Sequence, residues 1–326
     1  MNYTELPSEF PRPLAKILKF SAYSRGESAF SITDLIKPVQ VTQLTRRHDS
    51  EITKDPRENI YSVLGSAVHD LLERVGNLNP DESEMIEERL FTTIEGVKIS
   101  GQIDLHTTYD SKNHILTDWK HTKTSAIKFE KLEWHQQLNC YAHLLRQHGY
   151  EVSSARICAI FRDWSFAGIN GKYKVSTEDG TKIVCKRTKD YPDWGCAIIE
   201  IPLWPDEEVE KYLKERVALH KAAENLSDEE LFECTPEERW RRDTWRVRKT
   251  GAVRAKGNRS NFKTEAEARA YLEEMGPEFE LSSRPGVAYR CLAYCAARPF
   301  CFQLKREGFE VIYEEGEEDG DLQISD

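Results

Sequence analysis

Short alternating runs that carry acidic residues, set between longer stretches with helical periodicity, predict an α/β fold with helices flanking a mixed β-sheet. Two groups of observations support this. Val97 to Thr107 and Ile115 to Lys120 alternate apolar and polar residues as half-buried strands do, and Phe129 to His148 follows as an amphipathic helix. Further on, Ala155 to Phe161 is an apolar run that fits a buried strand. Pro205 to Asn225 then opens with Pro-Asp-Glu-Glu and carries Val209, Leu213 and Val217 along one stripe.

In chain order, residues 1–58 form an N-terminal segment in which Ser31-Ile32-Thr33-Asp34-Leu35 predicts a short capped helix, stopped before Pro38. A core of residues 59–233 follows. Asn59 to Arg74 reads as a helix that places His69 among apolar neighbours, Pro80 to Glu88 as a polar connection, and Phe91 to Ile94 as a short strand. Gly101 interrupts the Val97 run, as glycine does at bulges and close backbone approaches. Residues 165–196, rich in Gly, Lys, Thr and Tyr, predict an excursion of hairpins before Ala197 to Pro202 returns as a strand. Residues 234–304 carry a cysteine group around a basic insertion, 239–283. There Thr244 to Lys249 and Val253 to Phe262 alternate around Gly251, Thr264 and Glu267 predict a capping box, and Phe279 to Ser283 closes a β-β-α-β unit. Residues 305–326 are an acidic tail, expected to be solvated.

The chain of 326 residues can bury a sizeable core, and no apolar run approaches the roughly 20 residues that span a bilayer. The N-terminus lacks the apolar core and small-residue cleavage site of a secretory signal, so the cytoplasm is expected. In that reducing compartment eight cysteines suggest thiols or metal ligands rather than disulfides. The net charge of −10 is unevenly spread: Arg239 to Lys263 carries ten Lys or Arg against the single acid Asp243. Arg246, Arg248, Lys249, Arg254 and Lys256 are therefore candidates for DNA contact.

The chemistry concentrates in Asp104 and in Asp118-Trp119-Lys120. Strand alternation sends Asp118 and Lys120 to one side and Trp119 to the other, and pairing of the two runs brings Asp104 beside Asp118. Two carboxylates so close repel, and one tends to stay protonated. A hard divalent cation removes the conflict, and a neighbouring lysine can orient a water nucleophile and neutralise phosphate charge. An isolated pattern of this kind is more often an ordinary charged hairpin, so the other residues decide.

Those residues are His69 upstream, Gly101-Gln102-Ile103-Asp104, Asp118-Trp119-Lys120, and Gln137 with Tyr141 four apart on one helical face. With the four motifs in this order, the chain resembles the PD-(D/E)xK nuclease superfamily. Within it the chain is similar to the RecB-like branch that includes the CRISPR-associated iron–sulfur exonucleases. The resemblance spans roughly residues 60 to 165. It implies a restriction-endonuclease-like core in which His69, Asp104, Asp118 and the Trp119 carbonyl hold Mg²⁺ or Mn²⁺ and Lys120 serves the attacking water. Gln137 and Tyr141 would contact the DNA backbone or buttress the site. Arg162, at the end of the Ala155 run, is either a phosphate contact or a structural salt bridge.

Cys291, Cys295 and Cys301 form C-x3-C-x5-C, a spacing that suits zinc or an iron–sulfur cluster but leaves one ligand missing. The related nucleases place the fourth cysteine before the helical histidine. Here no cysteine precedes His69, and Cys234 is the substitute. The resemblance favours [4Fe–4S], with structural Zn²⁺ as the alternative, and Cys140, Cys158, Cys185 and Cys196 read as free thiols. The expected function is a metal-dependent DNA exonuclease acting on ends in recombination, repair or phage DNA metabolism, beside a helicase or strand-exchange protein. The alternatives are a catalytically weak DNA-binding accessory protein and a thiolate-metal scaffold.

Overall fold

A computed structural model describes residues 2–3, 11–19, 25–110, 112–128, 131–166, 174–177, 180–183, 191–241, 243–252 and 262–308. The chain divides into two compact units: Met1–Lys37 with Thr53–Ala222, and Pro38–Ile52 with Ala223–Asp326. The fold is α/β, with a mixed sheet flanked by helices, as expected.

The first unit is built on a six-stranded sheet: β1 (Phe30–Ser31), β2 (Glu84–Ile94), β3 (Val97–Thr108), β4 (His114–Thr122), β5 (Ser154–Phe161) and β6 (Cys196–Ile201). The order is β6-β5-β4-β3-β1, and β2 also pairs with β3. The β2–β3 hairpin is antiparallel and keeps one register from Glu84↔Thr107 to Ile94↔Val97, its pairing interrupted at Glu87. That fills one edge of β3, so its other edge is shared. Antiparallel β4 takes the far end, Leu105↔Thr117 to Thr108↔His114, and parallel β1 takes Ile99 and Ser100. Between those pairings β3 and β4 part, and Asp104 lies in the gap. β4 continues in parallel register with β5, from Ile115↔Ser154 to Thr122↔Phe161.

Four helices frame this sheet: α1 (Ile32–Ile36), α2 (Ile60–Leu78), α3 (Leu132–Gln147) and α4 (Asp206–Ala223). Ser31 caps α1 in a reciprocal box with Asp34 and ends it in time for Pro38. α3 is the central helix, with Leu138, Leu144 and Leu145 fully buried alongside Ile99, Ile103 and Ile157. In α4 the predicted stripe Val209, Leu213 and Val217 is buried. α2 differs: none of its residues is buried, and Tyr61, Leu64, Leu71, Val75 and Leu78 are exposed.

Two expectations are corrected. Residues Glu84–Glu88 are strand rather than polar connection, because β3 offers a full edge and Met85 and Ile86 pair across it with His106 and Leu105. Gly101 marks no bulge, since its register is intact; it admits α3. A Cβ there would lie 2.8 Å from Tyr141 Cε1 and 2.9 Å from Leu144 Cδ2.

In the second unit Thr244–Lys249 pairs antiparallel with Phe279–Arg284, and Glu265–Met275 is a helix with the Thr264–Glu267 capping box. Of the expected Val253–Phe262 strand only Phe262 lies among the described residues, and it bridges to Trp245. Arg254, Lys256, Cys185 and the run from Glu314 to Asp321 lie outside the described residues. Among the described residues no helix is long and apolar enough to cross a membrane.

Because Tyr141 and Leu144 occupy the space above Gly101, Gly101→Ala should destabilise the protein by about 1–3 kcal/mol, the usual range for overpacking a filled core. Urea unfolding of the two proteins measures the difference.

Candidate active site

Where β3 and β4 part, the sheet no longer satisfies its own polar groups and side chains take over. Asp104 Oδ2 accepts the backbone N–H of Trp119 at 2.9 Å, replacing a ladder bond. Asp118, only 1% exposed, stands next on β4. Its Oδ1 accepts Gln137 Nε2 at 3.0 Å, and the same amide nitrogen lies 3.1 Å from the Tyr141 hydroxyl. Asp118 Oδ2 meets the Lys120 ammonium at 2.5 Å but takes no well-directed hydrogen bond. Asp104, Asp118, Lys120, Gln137 and Tyr141 thus converge, and α3 reaches Asp118 because Gly101 lets it approach.

His69 enters from α2, with Nδ1 3.8 Å from Asp104 Oδ2. The closer partner of Nδ1 is Glu87 Oε1 at 2.7 Å. Glu87 was not among the residues singled out in the sequence. It falls between Ile86↔Leu105 and Glu88↔Ile103, and so opposite Asp104. Its φ is 51°, a left-handed conformation that costs a side chain roughly 1–2 kcal/mol. Two hydrogen bonds hold it there: the one with His69, and Gln102 Nε2 to Oε2 at 2.7 Å, with Gln102 in turn held by Arg89 at 2.5 Å. The sequence signal was the register itself: once Asp104 is placed on β3, its hairpin partner is Glu87.

Electrostatics follow from this crowding. Burial pushes the Asp104 carboxyl up to about 8, and the neighbouring Asp118 charge adds to the effect. The hydrogen bond to Glu87 raises His69 above its ordinary value, against the lowering effect of burial. Donor atoms of His69, Glu87 and Asp104 all lie within 4.8 Å of one another, the one such group of three among the described residues. A nitrogen and carboxylate oxygens at that spacing, beside a buried Asp118 oxygen lacking a directed hydrogen bond, suit a hard divalent cation.

Residues 77–302 match the PD-(D/E)XK nuclease superfamily, well over half of the chain. The chain belongs to that superfamily. As a PD-(D/E)XK protein it comes from a nuclease family whose members use divalent metals, and its mixed sheet fits the restriction-endonuclease-like fold. Among solved structures the crystal structure of SSO0001 is similar over 63% of this chain and 84% of that one, at 16% identity and a TM-score of 0.40. No curated protein matches the sequence.

The remaining candidates fall elsewhere. The Arg162 guanidinium stacks on the Tyr61 ring, 3.7 Å from its centroid. In the basic insertion, strand pairing brings acids to the cations: Arg248 meets Glu280 at 2.8 Å and Lys249 meets Glu278 at 3.1 Å, while Arg246 lies 3.5 Å from Ser282 Oγ. The stretch that looks unopposed in sequence is partly neutralised from thirty residues downstream. Cys234, Cys291 and Cys301 are buried and Cys295 is half-buried. The Cys234 and Cys301 thiols both donate to Gln40 Oε1, at 3.6 and 3.4 Å. Burial raises the Cys234 thiol, and Cys301, Cys291 and Cys295 are among the groups that add to the rise. Gln40, which gathers two of these sulfurs, carried no sequence signal.

The Asp104 shift has a stability consequence. The folded protein holds a proton on this carboxyl up to about pH 8, whereas an unfolded aspartate loses it near pH 4. The folded state therefore binds more protons across that window, and its stability falls as pH rises from about 4 to about 8. In EDTA, Asp104→Asn should remove this decline and be more stable than the parent at pH 8, as denaturant titrations at several pH values will show.

Proposed function

We propose that the protein is a metal-dependent DNA nuclease that hydrolyses phosphodiesters at the Asp104–Asp118–Lys120 centre, and that it acts as an exonuclease of the RecB-like branch. The observation that supports this most directly is the ion pair at 2.5 Å between buried Asp118 and half-buried Lys120, set beside Asp104 in the gap where β3 and β4 separate.

Asp104 and Asp118, with His69, Glu87 and the Trp119 carbonyl as further donors, are the residues that would hold Mg²⁺ or Mn²⁺. The metal, when bound, supplies a Lewis acid that neutralises charge on the phosphate and lowers the pKa of water. The chain's own groups do the rest. Lys120, fixed by Asp118, directs its ammonium at the incoming water and the phosphate oxygen. Gln137 holds Asp118 through Oδ1, so that Oδ2 stays turned toward Lys120. Tyr141 steadies Gln137 and lies against Gly101, which couples the position of α3 to the geometry of the carboxylates.

The four cysteines of the second unit are proposed as ligands of a [4Fe–4S] cluster, or else of structural Zn²⁺. The reading rests on the sulfurs of Cys234 and Cys301, which share Gln40 Oε1, and on the effect of the other three cysteines on the Cys234 thiol, although no three of the four sulfurs lie within 4.8 Å of one another. DNA is the proposed partner, with a helicase or strand-exchange protein beside it, in the cytoplasm. Arg248 and Lys249 are proposed to exchange their glutamates for phosphates, and Arg246 to add a third phosphate contact. Arg254 and Lys256 are proposed for the same role from their charge alone.

Purified protein incubated with end-labelled DNA should degrade it in Mg²⁺ or Mn²⁺ and not in EDTA. Lys120→Ala and Asp118→Ala should each lower the rate by at least about a hundredfold while retaining DNA binding. A product ladder shrinking from one end supports the exonuclease assignment. Cleavage that survives in both variants removes this centre from the reaction. Metal analysis of the same preparation separates iron with sulfide from zinc.

A further inference from the structure

In the first unit, next to the D-x-K motif, runs a groove of about 330 Å³ lined by Tyr61, Leu64, His121, Lys123, Arg162 and Asp163. One wall is the start of α2, where Tyr61 and Leu64 are three residues apart and so share a face. The other wall is the end of β4 and β5. His121 pairs with Ile160 there, and the Arg162 N–H bonds the Thr122 carbonyl at 2.8 Å. His121 directly follows Lys120 and Lys123 lies three residues on, about 10 Å of extended chain at most. The groove therefore adjoins the D-x-K motif along the strand, with the His121 side chain on the face opposite that of Asp118 and Lys120.

Its lining combines three properties. Tyr61 keeps 54% of its surface exposed and Leu64 43%, so a large ring and an aliphatic side chain face water inside a concavity. The Arg162 guanidinium stacks on that ring, at 3.7 Å, and makes no ion pair among the described residues. The one acid in the groove, Asp163, has both oxygens engaged with Thr124, at 2.7 Å from its N–H and 3.2 Å from its hydroxyl. Lys123 and Arg162 are thus left for an outside anion. Lys131 adds to the positive field: its ammonium is held below its ordinary value chiefly by burial, and nearby Lys120 and Arg162 also lower it.

A π-face, a stacked guanidinium, an apolar flank and spare cations together suit one ligand class, a nucleobase with its phosphate. Every base has a π-face, so such a site takes any sequence. A base within a duplex, however, already stacks on its neighbours and cannot enter. We propose that Tyr61, Leu64 and Arg162 form a subsite that stacks one unpaired nucleobase in the groove flanking the D-x-K strand, so that the enzyme works on single strands or on frayed ends. The proposal rests on the nuclease reading and adds the strand state of the substrate to it.

The test is binding by the full chain in EDTA, which separates it from cleavage. The probes are a fluorescein-labelled oligo(dT) of about twelve nucleotides and a duplex of the same length. Tyr61→Phe should bind oligo(dT) as the parent does. Tyr61→Ala and Tyr61→Leu, the second of which keeps apolar bulk without a ring, should bind it about tenfold more weakly, with duplex affinity unchanged. One abasic position scanned along the strand should reproduce that loss in the parent and cost nothing further in Tyr61→Leu. Equal losses for single strand and duplex would mean that only general charge is at work and would overturn the subsite; so would unchanged binding in all variants. Cleavage in Mg²⁺ is recorded beside it. A Tyr61 signature without cleavage sinks the nuclease reading and leaves the base site standing. Cleavage without the signature sinks the base site alone.

Discussion

The structure depends on keeping two carboxylates, Asp104 and Asp118, buried side by side where two strands separate. An uncompensated buried charge costs several kcal/mol, so almost every polar group nearby is committed to reducing that cost. Lys120 neutralises Asp118, Gln137 donates to it, the Trp119 amide donates to Asp104, and His69 lies between Asp104 and Glu87. The compensation is incomplete. Asp104 favours its protonated form well above the range of an ordinary aspartate, and Glu87 sits in a conformation glycine would adopt more easily. Strain and frustrated charge at one place are what a cation-binding centre looks like before its ion is counted.

The second unit handles charge differently. Arg248 and Lys249, on the strand Thr244–Lys249, are answered by Glu280 and Glu278 from the paired segment thirty residues on. Exposed pairs of this kind contribute about 0–1 kcal/mol each, so they add little to the stability of the unit.

Much of this was legible in the sequence. Strand alternation placed Asp118 and Lys120 on one side, the short helix ended at its proline, and the Val209–Leu213–Val217 stripe went into the core. What stayed hidden depended on register. Glu87 lies in a run too polar to read as a strand, and only the pairing of Ile86 with Leu105 sets it across from Asp104. The acids that answer Arg248 and Lys249 are about thirty residues away along the chain. Gln40 reaches Cys234 and Cys301 from the opposite end of the sequence. Local pattern carries the periodicity of an element but not its partner, and each of these features belongs to a partner.

Residues Pro38–Ile52 group with Ala223–Asp326 and not with their sequence neighbours. His48 stacks on Phe300 with ring centroids 3.9 Å apart and bonds Asp228 at 2.6 Å, and Arg47 meets the same aspartate at 2.7 Å. During synthesis this early segment leaves the ribosome long before its companions exist. At about 5–20 residues per second, some 250 residues must follow before Phe300 emerges, a wait of roughly ten seconds or more. The sheet-bearing unit has all of its strands by Ile201 and can close in the meantime. The assembly order is therefore written into the connectivity: the unit that holds the carboxylates ripens first, and the cysteine-bearing unit is the last to be completed.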